Sequence, residues 1–449
     1  MRFLFATWDG GGNVLPTLAI ARQLRGRGHS VRVLGPRSLG SLVEGAGCAF
    51  AAYSRVPERA PSPGRAQALQ RARAALLVLE LARATPTLAF AQDVLSDLQR
   101  EPVDVLVVDF MLAGAIAAGE RAGVPTAALA HTVYCLPAPG RAPFGPALAP
   151  AAGPAGHLRD AAITTLARRV NAPALRDLNQ TRERMGLTPV ASACEQLLRV
   201  ERLLVLTTAA FDPPPASLPS NVRYVGPQLD GSCEPEQVNL GTSTGFEPLV
   251  VVSFSSRFAA NEVVQRVLDA LEVLPVRVLL TLGPALAPSN LRVPASAVVR
   301  RFVPHERVLP GAGLVVTHAG LGTVMAALAH GVPLLCIPLK NDQFENASRV
   351  VAARAGCRLG RHARRSSLKR AILQLLHDPR FKEGAGRMAE AIAAHEDQAV
   401  QALEELGALT YVTAAPTPSA SVPSPLWGAD ASIASHPSGA SSRSSQRGT

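Results

Sequence analysis

A chain of 449 residues is longer than a single hydrophobic core supports, so two domains of roughly 200 residues each are expected. Its composition, 47% hydrophobic and 18% charged, is that of a globular protein; no uncharged apolar run nears the ~20 residues of a bilayer crossing, and MRFLFATWDGGGN, without an export signal's apolar core or cleavage site, points to a cytoplasmic chain. The net charge of +11 rests on widely scattered arginines with no aromatic-interleaved basic run, which argues against nucleic-acid binding, and six cysteines without CxxC or CxH spacing argue against a zinc site or a disulfide framework.

In chain order, RFLFAT (2–7), a helix near 14–27 and SVRVLG (30–35) form a first strand–helix–strand unit. DVLVVDF (104–110) and PTAALAH (125–131) supply later buried strands flanked by Ala-rich helical stretches. Residues 57–100 alternate proline-rich loop with Ala/Leu helix, and residues 136–157 read as a Pro/Gly/Ala loop of the kind that lines a cleft instead of packing regularly. RLLVLTTAAFD (202–212) closes the first half. The second half repeats the rhythm with LVVVSFSS (249–256), a helix near 260–273, VRVLLTLG (276–283), AVVRRFV (297–303), GLVVTHAG (313–320) and VPLLCIPL (332–339). Residues 366–408 carry helical periods broken at HDPRF, and from about 413 the chain turns to Ser, Pro and Ala with little to bury, as a disordered tail does. The expected division is therefore an N-terminal domain over 1–212, a linker over 213–247, a second domain over 248–395, a helix over 396–412 that crosses back toward the first domain, and a tail over 413–449.

The chemistry concentrates in residues 300–343. VVTHAGLGT runs a β-branched strand into a small-residue loop and then a helix, so free backbone N–H groups and a positive helix end meet near His318, and an anion belongs there. Phe302-Val303-Pro304-His305, Thr317-His318-Ala319-Gly320-Leu321-Gly322-Thr323, and Asp342-Gln343 after Gly331-Val332-Pro333 together resemble the donor signature of the UDP-glycosyltransferase superfamily of small-molecule glycosyltransferases. The resemblance covers residues 1 to about 410. It implies the GT-B fold, an α/β architecture of two Rossmann-like, doubly wound parallel-sheet domains facing a cleft. It also implies an inverting, metal-independent hexosyltransferase with no cofactor, whose partners are a nucleotide-sugar donor and a small-molecule acceptor, with membrane contact conceivable but not indicated.

By that resemblance Phe302 stacks on the base and the backbone of Val303 meets its edge, whereas a Phe at a strand end also serves as plain core. His318, Gly320, Gly322 and Thr323 cradle the diphosphate. Asp342 and Gln343 take the sugar hydroxyls, Lys340 and Asn341 tune the choice of sugar, and Ser255 and Ser256 match a serine-bearing loop that reaches phosphate or sugar. Two positions depart from the family. Ala326 stands where a glutamate commonly binds the ribose, which suits a deoxyribose and hence a TDP-sugar as well as a UDP-sugar. Asn13, in Gly12-Asn13-Val14-Leu15-Pro16, stands where the family has the histidine that removes the acceptor's proton, and an amide cannot take a proton.

Asp109, at the end of VVDF, and His131, at the end of PTAALAH, are the candidates for the vacated role; an aspartate fixing a loop and a buried structural histidine are the alternatives. Asp9 before the glycines suits a turn. An acidic acceptor such as a phenol lowers the demand for a base and leaves Asn13 to hold the nucleophile. A non-catalytic nucleotide-sugar-binding partner of another transferase, and a peripheral transferase with a lipid acceptor, also fit. A dinucleotide oxidoreductase does not, because Gly10-Gly11-Gly12 is not G-x-G-x-x-G and no acidic residue follows SVRVLG at the required place.

Overall fold

A computed structural model describes residues 1–57, 87–229, 247–254, 261–283 and 291–413. Ser255, Ser256, most of the 57–100 reading and the Ser/Pro/Ala tail lie outside the described residues. Two parallel sheets form, and the doubly wound α/β architecture expected from the sequence is borne out.

The first sheet comprises β1 (Arg2–Ala6), β2 (Ser30–Gly35), β3 (Ala49–Ala52), β4 (Val105–Asp109), β5 (Thr126–Ala130), β6 (Arg202–Val205) and β7 (Val222–Tyr224), in the order β3-β2-β1-β4-β5-β6-β7. The second comprises β8 (Leu249–Ser253), β9 (Arg277–Thr281), β10 (Ala297–Arg300), β11 (Ala312–Thr317), β12 (Leu334–Cys336) and β13 (Gly356–Arg358), in the order β10-β9-β8-β11-β12-β13. The central strands β4, β5 and β8 are buried at every residue, as parallel strands covered by helices on both faces must be. That explains their unbroken apolar runs.

The helices are α1 (Val14–Gly26), α2 (Gly40–Gly45), α3 (Thr87–Arg100), α4 (Ala113–Ala122), α5 (Gly153–Arg184), α6 (Ala193–Leu198), α7 (Asn261–Leu271), α8 (His305–Val308), α9 (Leu321–Ala329), α10 (Gln343–Ala352), α11 (Arg365–His377), α12 (Pro379–Ala393) and α13 (Gln398–Thr413). The break read at HDPRF is the joint between α11 and α12, where the Asp378 side chain accepts the Arg380 N–H and Pro379 takes the first helical position.

Three features depart from the sequence reading. Helix α5 begins at Gly153, inside the segment read as loop to 157, because Pro154 is compatible with a first helical turn; it also carries Pro173 in its interior. The rest of that loop is anchored, with the Gly145 and Ala147 N–H groups both donating to Glu345 Oε1 at 2.9 Å. Strand β7 falls within the stretch read as linker and pairs with β6, so the first sheet extends past residue 212. Strands β3 and β13, of four and three residues, are edge strands too short to show a period.

The two lobes share apolar contacts. Val133 and Phe211, from the first half of the chain, are buried in the same cluster as Leu249, Val251, Val315 and Met325 of the second. In return α13 places Ala399, Val400, Leu403 and Leu406 in the cluster built on Phe3, Phe5 and Val107 of the first sheet. Ion pairs from Arg27 to Asp397, just before that helix, and to Glu404, near its middle, each 2.9 Å, hold its first half against the first lobe.

Both sheets reverse strand order at one place, between β1 and β4 and between β8 and β11. Ligands of open α/β sheets bind outside the carboxyl ends of strands at such a switch. The loop after β1 carries Asn13, β4 ends on Asp109, and the loop after β11 carries His318.

Candidate active site

The first-lobe candidates converge. Asn13 Nδ2 donates to Asp109 Oδ2 at 2.7 Å and to the Trp8 carbonyl at 2.9 Å, and Asn13 Oδ1 accepts the Gly10 N–H at 3.0 Å. The amide is thus engaged at both ends and faces inward, which leaves it ill placed to hold a nucleophile. Asp109 is equally enclosed, its side chain 1% exposed. Its Oδ1 accepts the Met111 N–H at 2.9 Å, and its Oδ2 serves both Asn13 and His131.

His131 lies on the cleft side of this pair. Its Nε2 is 3.5 Å from Asp109 Oδ2 and 3.4 Å from Thr17 Oγ1, while its Nδ1 is buried without a hydrogen-bond partner. An unpaired buried ring nitrogen is uncommon and calls for an explanation. Burial pushes the imidazole pKa down and the Asp109 carboxylate pulls it partly back, so the ring is neutral near pH 7. Asp9 is exposed.

His131 also lines a cavity of about 30 Å³ at the meeting of the lobes, with Gly12, Pro16, Leu321, Gly322 and Met325 among its other walls. Residues of the loop and helix that follow β11 therefore stand across a narrow gap from the Asn13–Asp109–His131 cluster. The remaining walls, Leu206, Pro227 and Leu229, are apolar apart from Gln228.

On the second lobe the chain leaves β11 through His318 and enters α9 at Leu321, with Gly320 as the residue before the first turn and no side chain capping the helix. Its first N–H groups are thereby left for a ligand. Ala319 adopts φ 66°, and this reversal carries the loop back over the helix end. A Cβ at Gly320 would sit 2.7 Å from His318 Nε2, so any larger residue there displaces that ring. The His318 ring lies against Phe254, centroids 6.1 Å apart, and burial lowers its pKa to about 4, against the upward pull of the Ser253 backbone and with Lys340 adding to the fall. Thr323 is half-buried and Gly322 exposed on the same turn.

Around this loop Phe302 presents a ring that is 69% exposed while Val303 is buried beneath it. Among the family-like donor residues Phe302 is an apolar face left to water. His305, next in the motif, is held down to about pKa 4 by burial, with His330 adding repulsion. Asp342 precedes α10, and burial raises its carboxyl to about 6 although Asn346 donates to it at 3.0 Å. Gln343 Oε1 accepts the N–H groups of Leu339 and Lys340 at 2.9 and 3.0 Å, so this glutamine shapes the loop that carries Asp342. Asn341, at φ 54°, makes the turn between them. Asn346, missed in the sequence, ties the two donor segments together: its Nδ2 donates to the Ala319 carbonyl at 3.0 Å as well as to Asp342. Nothing in its local pattern separates it from an ordinary helix residue. Ala326 is packed into the core from α9, and no carboxylate stands at its position.

Comparison with known proteins supports the reading. The family model for UDP-glucuronosyl and UDP-glucosyl transferases matches residues 187–409. The chain is 31% identical over 412 residues to 4'-demethylrebeccamycin synthase of Lentzea aerocolonigenes, covering 88% of this chain and 96% of that protein. The glycosyltransferase VinC, solved in complex with dTDP, superposes with a TM-score of 0.66 at 15% identity, covering 91% of this chain and all of that one. The spinosyn rhamnosyltransferase SpnG, solved with spinosyn aglycone, gives a TM-score of 0.62 at 20% identity, over 92% and 100% of the two chains. The chain belongs to the UDP-glycosyltransferase family and is a glycosyltransferase of the GT-B fold.

Proposed function

We propose that this chain moves a hexose from a TDP- or UDP-sugar to a hydroxyl of a small, largely apolar natural-product aglycone, in one inverting step without a metal. The donor binds the second lobe, with its diphosphate at the His318 loop, its base on Phe302 and its sugar hydroxyls at Asp342 and Gln343. The acceptor enters from the first lobe, against the apolar walls formed by Pro16, Leu206 and Leu229. VinC in its complex holds dTDP and SpnG an aglycone, and Ala326 supplies no acceptor for a ribose 2'-hydroxyl, which favours TDP.

His131 is the general base in this reading. Its Nδ1 takes the acceptor's hydroxyl proton as the oxygen attacks the anomeric carbon, and the bond from that carbon to the diphosphate oxygen breaks with its electron pair leaving on the nucleotide. Attack from the first lobe and departure toward the second place nucleophile and leaving group on opposite faces of the sugar, which inverts the centre. Asp109 balances the charge formed on the imidazole, and Asn13 holds Asp109 in place. The free N–H groups at the start of α9 and the His318 ring receive the leaving diphosphate's charge; such preorganised donors stabilise developing charge without reorganising.

The observations that carry the assignment are the buried, unpaired His131 Nδ1 and the place of His131 in the wall of the gap that Gly322 also lines. Transfer from TDP-glucose and UDP-glucose to 4-methylumbelliferone and to aliphatic alcohols tests it. His131→Ala is expected to lower kcat by about 10²–10⁴-fold with alcohols, less with the acidic phenol, and to leave TDP affinity unchanged. Unaltered turnover in His131→Ala contradicts the base assignment. Nucleotide binding with no transfer by the wild type to any hydroxyl acceptor favours a non-catalytic partner instead.

A further inference from the structure

Helix α10 follows Asp342 and opens with Gln343, the proposed sugar-binding pair, yet its first turns also grip the first lobe. Glu345 Oε1 accepts the Gly145 and Ala147 N–H groups, each at 2.9 Å, from the loop beyond β5. Arg349 joins two carboxylates: its Nη1 donates to Glu345 Oε2 at 2.7 Å and its Nε to Asp212 Oδ1 at 2.8 Å. Asp212, fully buried, accepts the Tyr134 N–H on Oδ2 at 2.6 Å, the Tyr224 hydroxyl on the same oxygen at 3.1 Å, and Arg141 Nη2 on Oδ1 at 2.6 Å. The segment from Tyr134 to Ala147 therefore places two donors on Glu345 of the second lobe and two on Asp212 of its own lobe, and Arg349 of the second lobe touches both carboxylates. That segment starts three residues after His131.

We propose that Arg349 and Glu345 are positioning residues for the transfer: they bolt the stretch after His131 to the helix that carries the sugar-binding Asp342, and so hold the base at a fixed distance from the donor. The physical case is geometric. His131 directly follows a strand of one lobe and Asp342 directly precedes a helix of the other, and their separation is set by whatever crosses between lobes. Apolar contacts through Val133 and Phe211 keep the lobes together but have no direction; charge-assisted hydrogen bonds fix direction and distance. Proton transfer needs its partners at about 2.6–3.2 Å, so a lateral slip of an ångström costs rate without costing donor affinity.

The inference rests on the assignment of His131 as base. Transfer from TDP-glucose to 4-methylumbelliferone is measured for wild type, Arg349→Met, Arg349→Lys, Glu345→Gln and His131→Ala, together with calorimetric TDP affinity and amide hydrogen exchange over residues 133–147. Arg349→Met is expected to lower kcat at least tenfold, to leave the TDP Kd within twofold, and to speed exchange at Tyr134, Gly145 and Ala147; Arg349→Lys recovers part of the rate, and Glu345→Gln speeds exchange at Gly145 and Ala147 alone. Turnover of Arg349→Met within twofold of wild type overturns the proposal. So does a loss of TDP affinity parallel to the loss of rate, which marks a donor-site or folding defect. If His131→Ala turns over normally, the base assignment fails; if it is inactive while Arg349→Met and Glu345→Gln are normal, only the bridge fails.

Discussion

At the scale of single residues, Asn13 stands where the family resemblance places a histidine, and Asp109 beside it is shared with His131, the residue after the neighbouring strand. Asp109 Oδ2 bonds Asn13 at 2.7 Å and lies 3.5 Å from His131 Nε2, so an imidazole still has a carboxylate behind it. The pH dependence follows from the signs. Burial lowers the His131 pKa and Asp109 raises it; the acid limb of kcat is expected below pH 6.5, and Asp109→Asn, by deleting the upward pull, moves that limb to still lower pH while reducing the plateau. A limb that moves up in Asp109→Asn contradicts the pairing. Asp342 titrates in the opposite sense. Its carboxyl is raised from 3.8 to about 6, so the folded state holds its proton more tightly than the unfolded chain and the stability this lends, present below about pH 4, is lost as pH rises through 6. Asp342→Asn is therefore expected to raise Tm at pH 7.5 by about 2–4 °C while weakening TDP-glucose binding relative to TDP. Equal weakening for both ligands places Asp342 away from the sugar.

Among the elements, those with long apolar runs were legible in the sequence and the short ones were not. β1, β4, β5, β8 and β11 are covered on both faces and show as continuous hydrophobic stretches. β7 and β13, three residues each at sheet edges, carry no period, and the prolines and glycines before Gly153 concealed the start of α5. The loop from Thr317 to Thr323 was legible because its spacing is dictated by a strand, a reversal and a helix start in succession. The His131–Asp109 pairing was not, because only strand order places β4 beside β5 and turns two residues 22 positions apart into neighbours. Asn346 and Arg349 were missed for the same reason: their partners, Ala319 and Asp212, come from distant parts of the chain. Helix α13 contributes to the first lobe what its sequence position hides. Leu403 is fully buried against that sheet, so Leu403→Ala is expected to cost about 2–5 kcal/mol in denaturant unfolding, and a cost under 0.5 kcal/mol contradicts the docked helix.

Across the whole molecule, the sheets present their switch points to one gap, and the chain crosses that gap in both directions. Val133 and Phe211 enter the second lobe's core, α13 returns to the first, and Arg349 joins the two by charge. No described helix is long and apolar enough to cross a membrane. The cavity of about 30 Å³ where the lobes meet has His131 on one wall and Leu321 and Gly322 on another. Every part of this account requires an activated sugar's diphosphate at the start of α9. The direct measurement is calorimetric titration of TDP-glucose and UDP-glucose into wild type and His318→Ala. The account predicts saturable binding by the wild type that weakens about 10–100-fold in His318→Ala, the effect of one hydrogen bond to a charged group; equal affinity in the two proteins, or no binding of either nucleotide sugar by the wild type, contradicts it.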